Sequence, residues 1–196
     1  HILPILALVL IALVPLGAPG LQILLTLALS KAIAVMGVTL LLRAGQVSFG
    51  HALFFGIAAY ATAFIAATSF DDLALLLVAG TLAAALSGLL VGLFVVRYRG
   101  IFFGMLNLAF SMIFWSVLEK FYHYTGGADG LRLPRPTVLG MSLDRAPFEL
   151  LLFYVTLGLT LTLGWFTLRF LGSPVGQLFQ TVKTNETRLE YLGISA

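Results

Sequence analysis

The chain has 196 residues, 60% of them hydrophobic and only 10% charged, against roughly 25% charged in a soluble domain, and its mean hydropathy is +1.07. That balance excludes a water-soluble fold: with ~20 apolar helical residues needed per crossing, it implies an all-α, polytopic transmembrane bundle of about six spans. The net charge of +3 does not point to nucleic acid, since cytoplasmic loops of membrane proteins collect basic residues; no cysteine is present and the three histidines are scattered, which excludes disulfides, thiol chemistry and a metal motif.

The first apolar run, Ile2 to Gly17, lacks the basic leader of a signal peptide and is followed by further spans, so it reads as a span itself. Pro15, Pro19 and Gly20 punctuate the turn into a second run, Leu21 to Leu42, which carries Lys31 near its middle. A charge at that depth costs about 2.5–3.5 kcal/mol even on lenient scales, so Lys31 is expected to face a bundle interior or a wet cavity. Snorkelling or a backbone carbonyl partner and the lining of a pathway are both open to it.

The third run, Val47 to Ala67, begins in a break, "RAGQVSFGH", with Gly45, Gly50, Gln46, Ser48 and His51. Glycines loosen a helix, and polar backbone at membrane depth is tolerated only against protein or water, so this stretch is expected to point inward. In a helix Ser48 and His51 would share a face, with Phe55 one turn further on. For His51 a hydrogen-bonded packing role is the commoner one and pathway lining the sharper one. Arg43 reads as a cytoplasmic anchor, and Tyr60 as packing or an interface anchor before a contact.

Asp71-Asp72 leads into a fourth run, Leu73 to Val96, and Arg97, Arg99 and Gly100 into a fifth, Ile101 to Leu118. Asn107 in the fifth suits interhelical hydrogen bonding first and a solute contact second. Residues Glu119 to Glu149, with Gly126, Gly127, Gly130 and three prolines, form an exposed loop before the last run, Leu150 to Leu171. The sequence opens on His1 and stops at Ala196 with no terminal element, as a piece of a longer protein would.

With the N-terminus cytoplasmic, Arg43, Arg97, Arg99, Arg169, Lys183 and Arg188 all fall inside, and the far side receives six of the eight acids. That distribution orients the chain N-in and puts residues 172–196 in the cytoplasm. No Asp or Glu stands inside an expected span away from its ends, whereas ion-coupled transporters carry ionisable groups there. No phosphate-binding G-x-x-x-x-G-K-[ST] motif occurs either, so an ATP-driven process would need a separate ATPase chain.

A place to receive such a chain is "SPVGQLFQTVKTNETRLEYLGI". Ser173 suits an N-cap with Pro174 at the first helical position, and Val175, Leu178, Phe179 and Val182 make one apolar face. Asn185 can cap a second short helix ending at Gly193. A short amphipathic pair of this kind suits a groove on a partner, and an interfacial helix lying on the membrane is the alternative.

Four stretches resemble, in order and spacing, the permease subunit of branched-chain amino-acid ABC importers, the LivM type. They are "AGQVSFGHALFFGIAAYATA" (44–63), "RYRGIFFGMLNLAFSMI" (97–113), "TGGADGLRLP" (125–134) and residues 173–194. The resemblance implies one permease domain over residues 1–196, truncated at its C-terminus, with a cytoplasmic coupling segment at 172–194. It implies a bacterial inner-membrane, multi-pass transport subunit and no enzyme. No cofactor is expected in this chain, ATP being used by two partner ABC ATPases. A second homologous permease, a periplasmic solute-binding protein and the lipid bilayer complete the partners, with no nucleic acid.

The sites that follow are Lys31, Gln46, Ser48, His51, Phe55 and Asn107 along a substrate pathway, with no catalytic or metal residue. Gly176, Gln177, Thr181, Asn185 and Glu186 would couple to the ATPase, and Gly126, Gly127, Asp129 and Gly130 would dock the binding protein, unless that loop is an ordinary turn. The family often has Arg where Gln177 stands and Asn near Thr39. An ion-coupled secondary transporter and an ABC permease for urea or short amides are the alternative functions.

Overall fold

The computed structural model describes residues 15, 19–68 and 71–177, and the described chain is helical, with short turns and one longer irregular stretch, residues 130–144, between helices. The helices are α1 (Pro19–Arg43), α2 (His51–Ala66), α3 (Leu73–Val95), α4 (Ile101–Lys120), the single turn α5 (Tyr122–Thr125) and α6 (Arg145–Leu171), with a 3₁₀ turn at Gly127–Asp129. Four of them, α1, α3, α4 and α6, are long and apolar enough to cross a membrane. Rows of exposed large apolar side chains, Leu82, Leu86, Leu89, Leu93 and Phe94 on α3 among them, would be untenable in water and suit lipid. The expected first span, apart from Pro15, lies outside the described residues.

Two compact units divide the chain, one of His1–Ala44 with Leu143–Ala196 and the other of Gly45–Ser142. In the first, α1 packs along α6. Met36 Cε rests against Gly164, where a Cβ would lie 3.4 Å away, an ordinary contact distance. Phe153, Leu157 and Thr160 fall at i, i+4 and i+7 and make the buried stripe of α6, and Thr160 returns its hydroxyl to the Thr156 carbonyl at 2.7 Å.

In the second unit α2 is the centre, with α3 and α4 packed on it. Phe54 meets Gly88 and Thr62 meets Gly80, so α2 and α3 run antiparallel. Gly50 meets Asn107 and Gly56 meets Phe114, so α2 and α4 run parallel. Small residues at these crossings let backbones approach, which is how helices associate where lipid removes the hydrophobic drive. Asp72 caps α3 by accepting a 2.9 Å hydrogen bond from Ala74 N.

Several boundaries differ from the sequence expectation, the second run among them, which extends to Pro19–Arg43 from the expected Leu21–Leu42. The third span begins at His51 instead of Val47, leaving a helix of 16 residues, short of the ~20 a full crossing needs. The fifth runs on to Lys120, two residues past Leu118. The sixth begins at Arg145, five residues before Leu150, because Arg145 and Glu149 form an i,i+4 pair at 2.7 Å and Phe148 turns inward behind them.

Candidate functional site

The non-helical stretch before α2 is held by α4. Two glycines make this possible: a Cβ on Gly104 would sit 2.6 Å from the Val47 carbonyl oxygen and 3.0 Å from the Phe49 ring, and one on Gly50 would overlap the Asn107 carbonyl and lie 2.6 Å from its carbon. Asn107 is six residues into α4, about 9 Å along its axis at 1.5 Å per residue. Residues 47–50 therefore run alongside the first two turns of a spanning helix and carry irregular backbone to that depth. Irregular backbone in a membrane has to be covered by protein or by water, and α4 covers one side of this stretch.

The polar side chains of the stretch are unequal. His51 Nδ1 and Ser48 Oγ share a 3.0 Å hydrogen bond, its direction set by the imidazole tautomer. The ring meets Phe54 edge-on, centroids 6.2 Å apart. Gln46 is different: its side-chain Oε1 is buried with no hydrogen-bond partner, an arrangement that costs free energy until a donor arrives. Asn107 is 4% exposed. The structure thus gathers Gln46, Ser48, His51 and Asn107 in one unit, around the contact of residues 47–50 with α4.

Phe55 does not join them. Because the helix starts at His51, Ser48 precedes it and the supposed helical face through Ser48, His51 and Phe55 does not exist; Phe54 takes the neighbouring place and Phe55 is 63% exposed. Lys31 belongs to the other unit, where it is exposed on α1.

Gly104 was missed from sequence, although "GIFFG" at 100–104 carries the spacing by which glycines in apolar helices mark close approach. Thr125 was missed too. Buried after the end of α4, its hydroxyl donates to the Leu118 (2.6 Å) and Phe121 (3.0 Å) carbonyls and accepts from Gly127 N at 3.2 Å. Around it Gly126, Gly127 and Gly130 all take positive φ (70°, 52° and 68°), which L side chains rarely adopt. Tyr122 donates its hydroxyl to Asp129 at 2.9 Å. Further on, Leu73 N donates to Thr137 O and Thr137 N to Asp71 O, both at 2.8 Å, tying the loop to the start of α3. The 125–130 segment is a built loop, with Arg132 and Arg135 exposed beyond it.

After α6, Ser173 caps the following turn as expected, accepting from Gly176 N at 3.3 Å while its own hydroxyl donates to Phe170 O at 2.6 Å. Gly176 fits this corner because a Cβ there would lie 2.7 Å from Leu171 Cα. Gln177 is exposed, and Thr181, Asn185 and Glu186 lie outside the described residues.

Comparison with known proteins adds three findings. The family model described as the permease component of branched-chain amino acid transport systems matches residues 20–196. The chain is 27% identical over 139 residues to the high-affinity branched-chain amino acid transport system permease protein LivM of Escherichia coli (strain K12), covering 60% of this chain and 32% of that protein. It is 26% identical over 135 residues to the protein of the same name from Salmonella typhimurium (strain LT2), covering 58% and 32%. The chain spans about a third of the length of these curated relatives, and no solved structure matches it.

Proposed function

The chain belongs to the permease family of branched-chain amino acid transport systems, a transport component and not an enzyme, and we propose that it serves in the bacterial inner membrane as one permease of an ATP-driven importer. Leucine, isoleucine, valine or a related apolar amino acid arrives on a periplasmic binding protein. A second, homologous permease completes the membrane part, and two ATPase subunits bind the ATP, so this chain needs no cofactor of its own. The urea and short-amide alternative draws no support from the relatives, whose names specify branched-chain amino acids.

The observation that carries this reading is the polar stretch clamped against α4 by Gly50 and Gly104 in a chain whose spans are mostly apolar. Transport needs no bond made or broken, only a path of weak contacts whose opening alternates. The Gln46 amide, the Ser48–His51 pair and Asn107 supply polar groups for such a path. Glu119 and Glu149, at the ends of α4 and α6, are the only carboxylates in the four long span helices, which favours a separate motor over ion coupling. With the N-terminus cytoplasmic, the Ser173-capped turn and the rest of residues 172–194 face the ATPase, whose movement α6 would carry into the bilayer. The 125–130 loop then lies on the outer face and meets the binding protein.

The test is uptake of radiolabelled leucine by proteoliposomes holding the full-length protein with its partner subunits. Uptake that needs both ATP and the loaded binding protein supports the proposal; uptake that survives without ATP and collapses with an ion gradient sinks it in favour of a secondary transporter.

A further inference from the structure

We propose that Lys31 is the carboxylate-binding residue of the translocation path, holding the carboxylate of the amino-acid cargo against the exposed face of α1 as the cargo crosses the bilayer. The proposal rests on the transport reading above and adds to it which group of the cargo is recognised and by which residue.

One side of α1 packs on α6 through Met36. Another is exposed: Leu24, Ala28, Lys31, Val35, Thr39 and Leu42 follow one another at spacings of three or four residues and form a single stripe. Lys31 stands at its middle, near the centre of the Gly20–Arg43 span, about 17 Å from either end at 1.5 Å per residue. A four-carbon stem reaches about 6 Å, while the half-thickness of the hydrocarbon core is ~15 Å, so the ammonium does not reach the headgroups from there. Protein or water lies opposite it, not acyl chains.

The donors and charges around it define what it awaits. Hydroxyls along α1 are spent on the helix's own carbonyls, Thr26 on Gln22 (2.9 Å), Ser30 on Leu27 (2.9 Å) and Thr39 on Val35 (2.8 Å). Among the described residues the ammonium is the uncommitted donor of the stripe. Neither carboxylate of the span helices can neutralise it at this depth, since Glu119 ends α4 and Glu149, near the start of α6, is held by Arg145 at 2.7 Å. Among the described residues no carboxylate pairs with it, and the cargo's own carboxylate can. An apolar amino acid, a zwitterion without net charge, brings a carboxylate for the Lys31 ammonium and an aliphatic tail for Leu24, Ala28, Val35 and Leu42, its own ammonium being left to other acceptors; urea brings no carboxylate.

Lys31→Met and Lys31→Arg test this in the reconstituted full-length transporter, with leucine-loaded binding protein at saturation. Methionine suits a membrane span, so misfolding is not the expected consequence. Since a charge-assisted hydrogen bond is worth about 10- to 100-fold, K31M should slow leucine uptake at least ~10-fold and K31R no more than ~3-fold, with subunit composition unchanged. Equal uptake by K31M and wild type overturns the proposal, and so does loss of a partner subunit from the K31M complex, which would make Lys31 an inter-subunit contact. Wild-type uptake that proceeds without ATP overturns the importer reading alone, because the ratio of K31M to wild-type uptake still reports on Lys31.

Discussion

The two units pack by different means. In one, α1 and α6 meet through side chains, with the pliable Met36 lying over Gly164 at ordinary contact distance. In the other, backbone meets backbone: Gly50 abuts the Asn107 carbonyl, and Gly104 abuts the Val47 carbonyl. A thioether can rotate to accommodate change, whereas a peptide group in a helix cannot move without its turn. The irregular stretch of the chain is thus fixed by its least forgiving contacts, and that is the place where a transport path needs its polar groups held in position.

The largest effect follows from breaking that contact. Gly50→Val puts a branched side chain where the Asn107 backbone already stands, and since overpacking costs ~1–3 kcal/mol when neighbours can yield, about 3 kcal/mol or more is expected where backbone must shift. Thermal unfolding in detergent should show a lowered midpoint and reconstituted vesicles should lose leucine uptake. A Gly50→Val protein of wild-type stability would show that residues 47–50 do not rest on α4.

Gly80→Val comes next. Its Cβ would lie 2.7 Å from Thr62 Cγ2, a side-chain methyl that can turn aside, with the Ala58 carbonyl at 3.5 Å, so a loss of ~1–2 kcal/mol is expected. Gly92→Val, where a Cβ would meet nothing within 4 Å, is the control and should be neutral or stabilising, since glycine disfavours helix by up to ~1 kcal/mol. Chemical denaturation of the two side by side checks the order; equal effects would mean that close approach of α2 and α3 is unimportant.

Gln46→Leu separates stability from function. Removing a buried amide whose Oε1 has no partner should leave stability unchanged or raise it by up to ~1 kcal/mol. Uptake should fall if that amide serves the cargo, and a variant with unchanged transport would remove Gln46 from the path.

Much of this was legible in the residues, for reasons that differ by element. Hydropathy marks α3 almost to the residue because both of its ends are charged or polar, Asp72 and Arg97. It misplaces the start of α6, where Arg145 and Glu149 look like loop until their i,i+4 pairing is seen. The break at residues 45–50 shows in its glycines, but what it rests on does not, because the contact joins residues 57 positions apart, Gly50 with Asn107 and Val47 with Gly104. The face shared by Ser48, His51 and Phe55 fails for a nearer reason, since the helix begins only at His51. The loop at 125–130 looked like any glycine-rich turn, since nothing in "TGGADG" announces that Thr125 would spend its hydroxyl on two carbonyls.

The smallest expected effect sharpens the comparison most, because it uses one substitution in both units. Gly164→Ala adds a methyl at 3.4 Å from Met36 Cε and 4.0 Å from its sulfur, with no backbone in the way. Gly104→Ala adds the same methyl at 2.6 Å from a carbonyl oxygen and 3.0 Å from the Phe49 ring. Alanine also favours helix over glycine by up to ~1 kcal/mol in either place. The first variant should therefore gain up to ~1 kcal/mol and the second lose ~1–3 kcal/mol, as overpacking outweighs propensity. Melting curves of the two purified variants decide it. Opposite signs would establish that residues 47–50 are held on α4 by backbone contact and α1 with α6 by adaptable side chains, and equal signs would put both contacts under one packing rule.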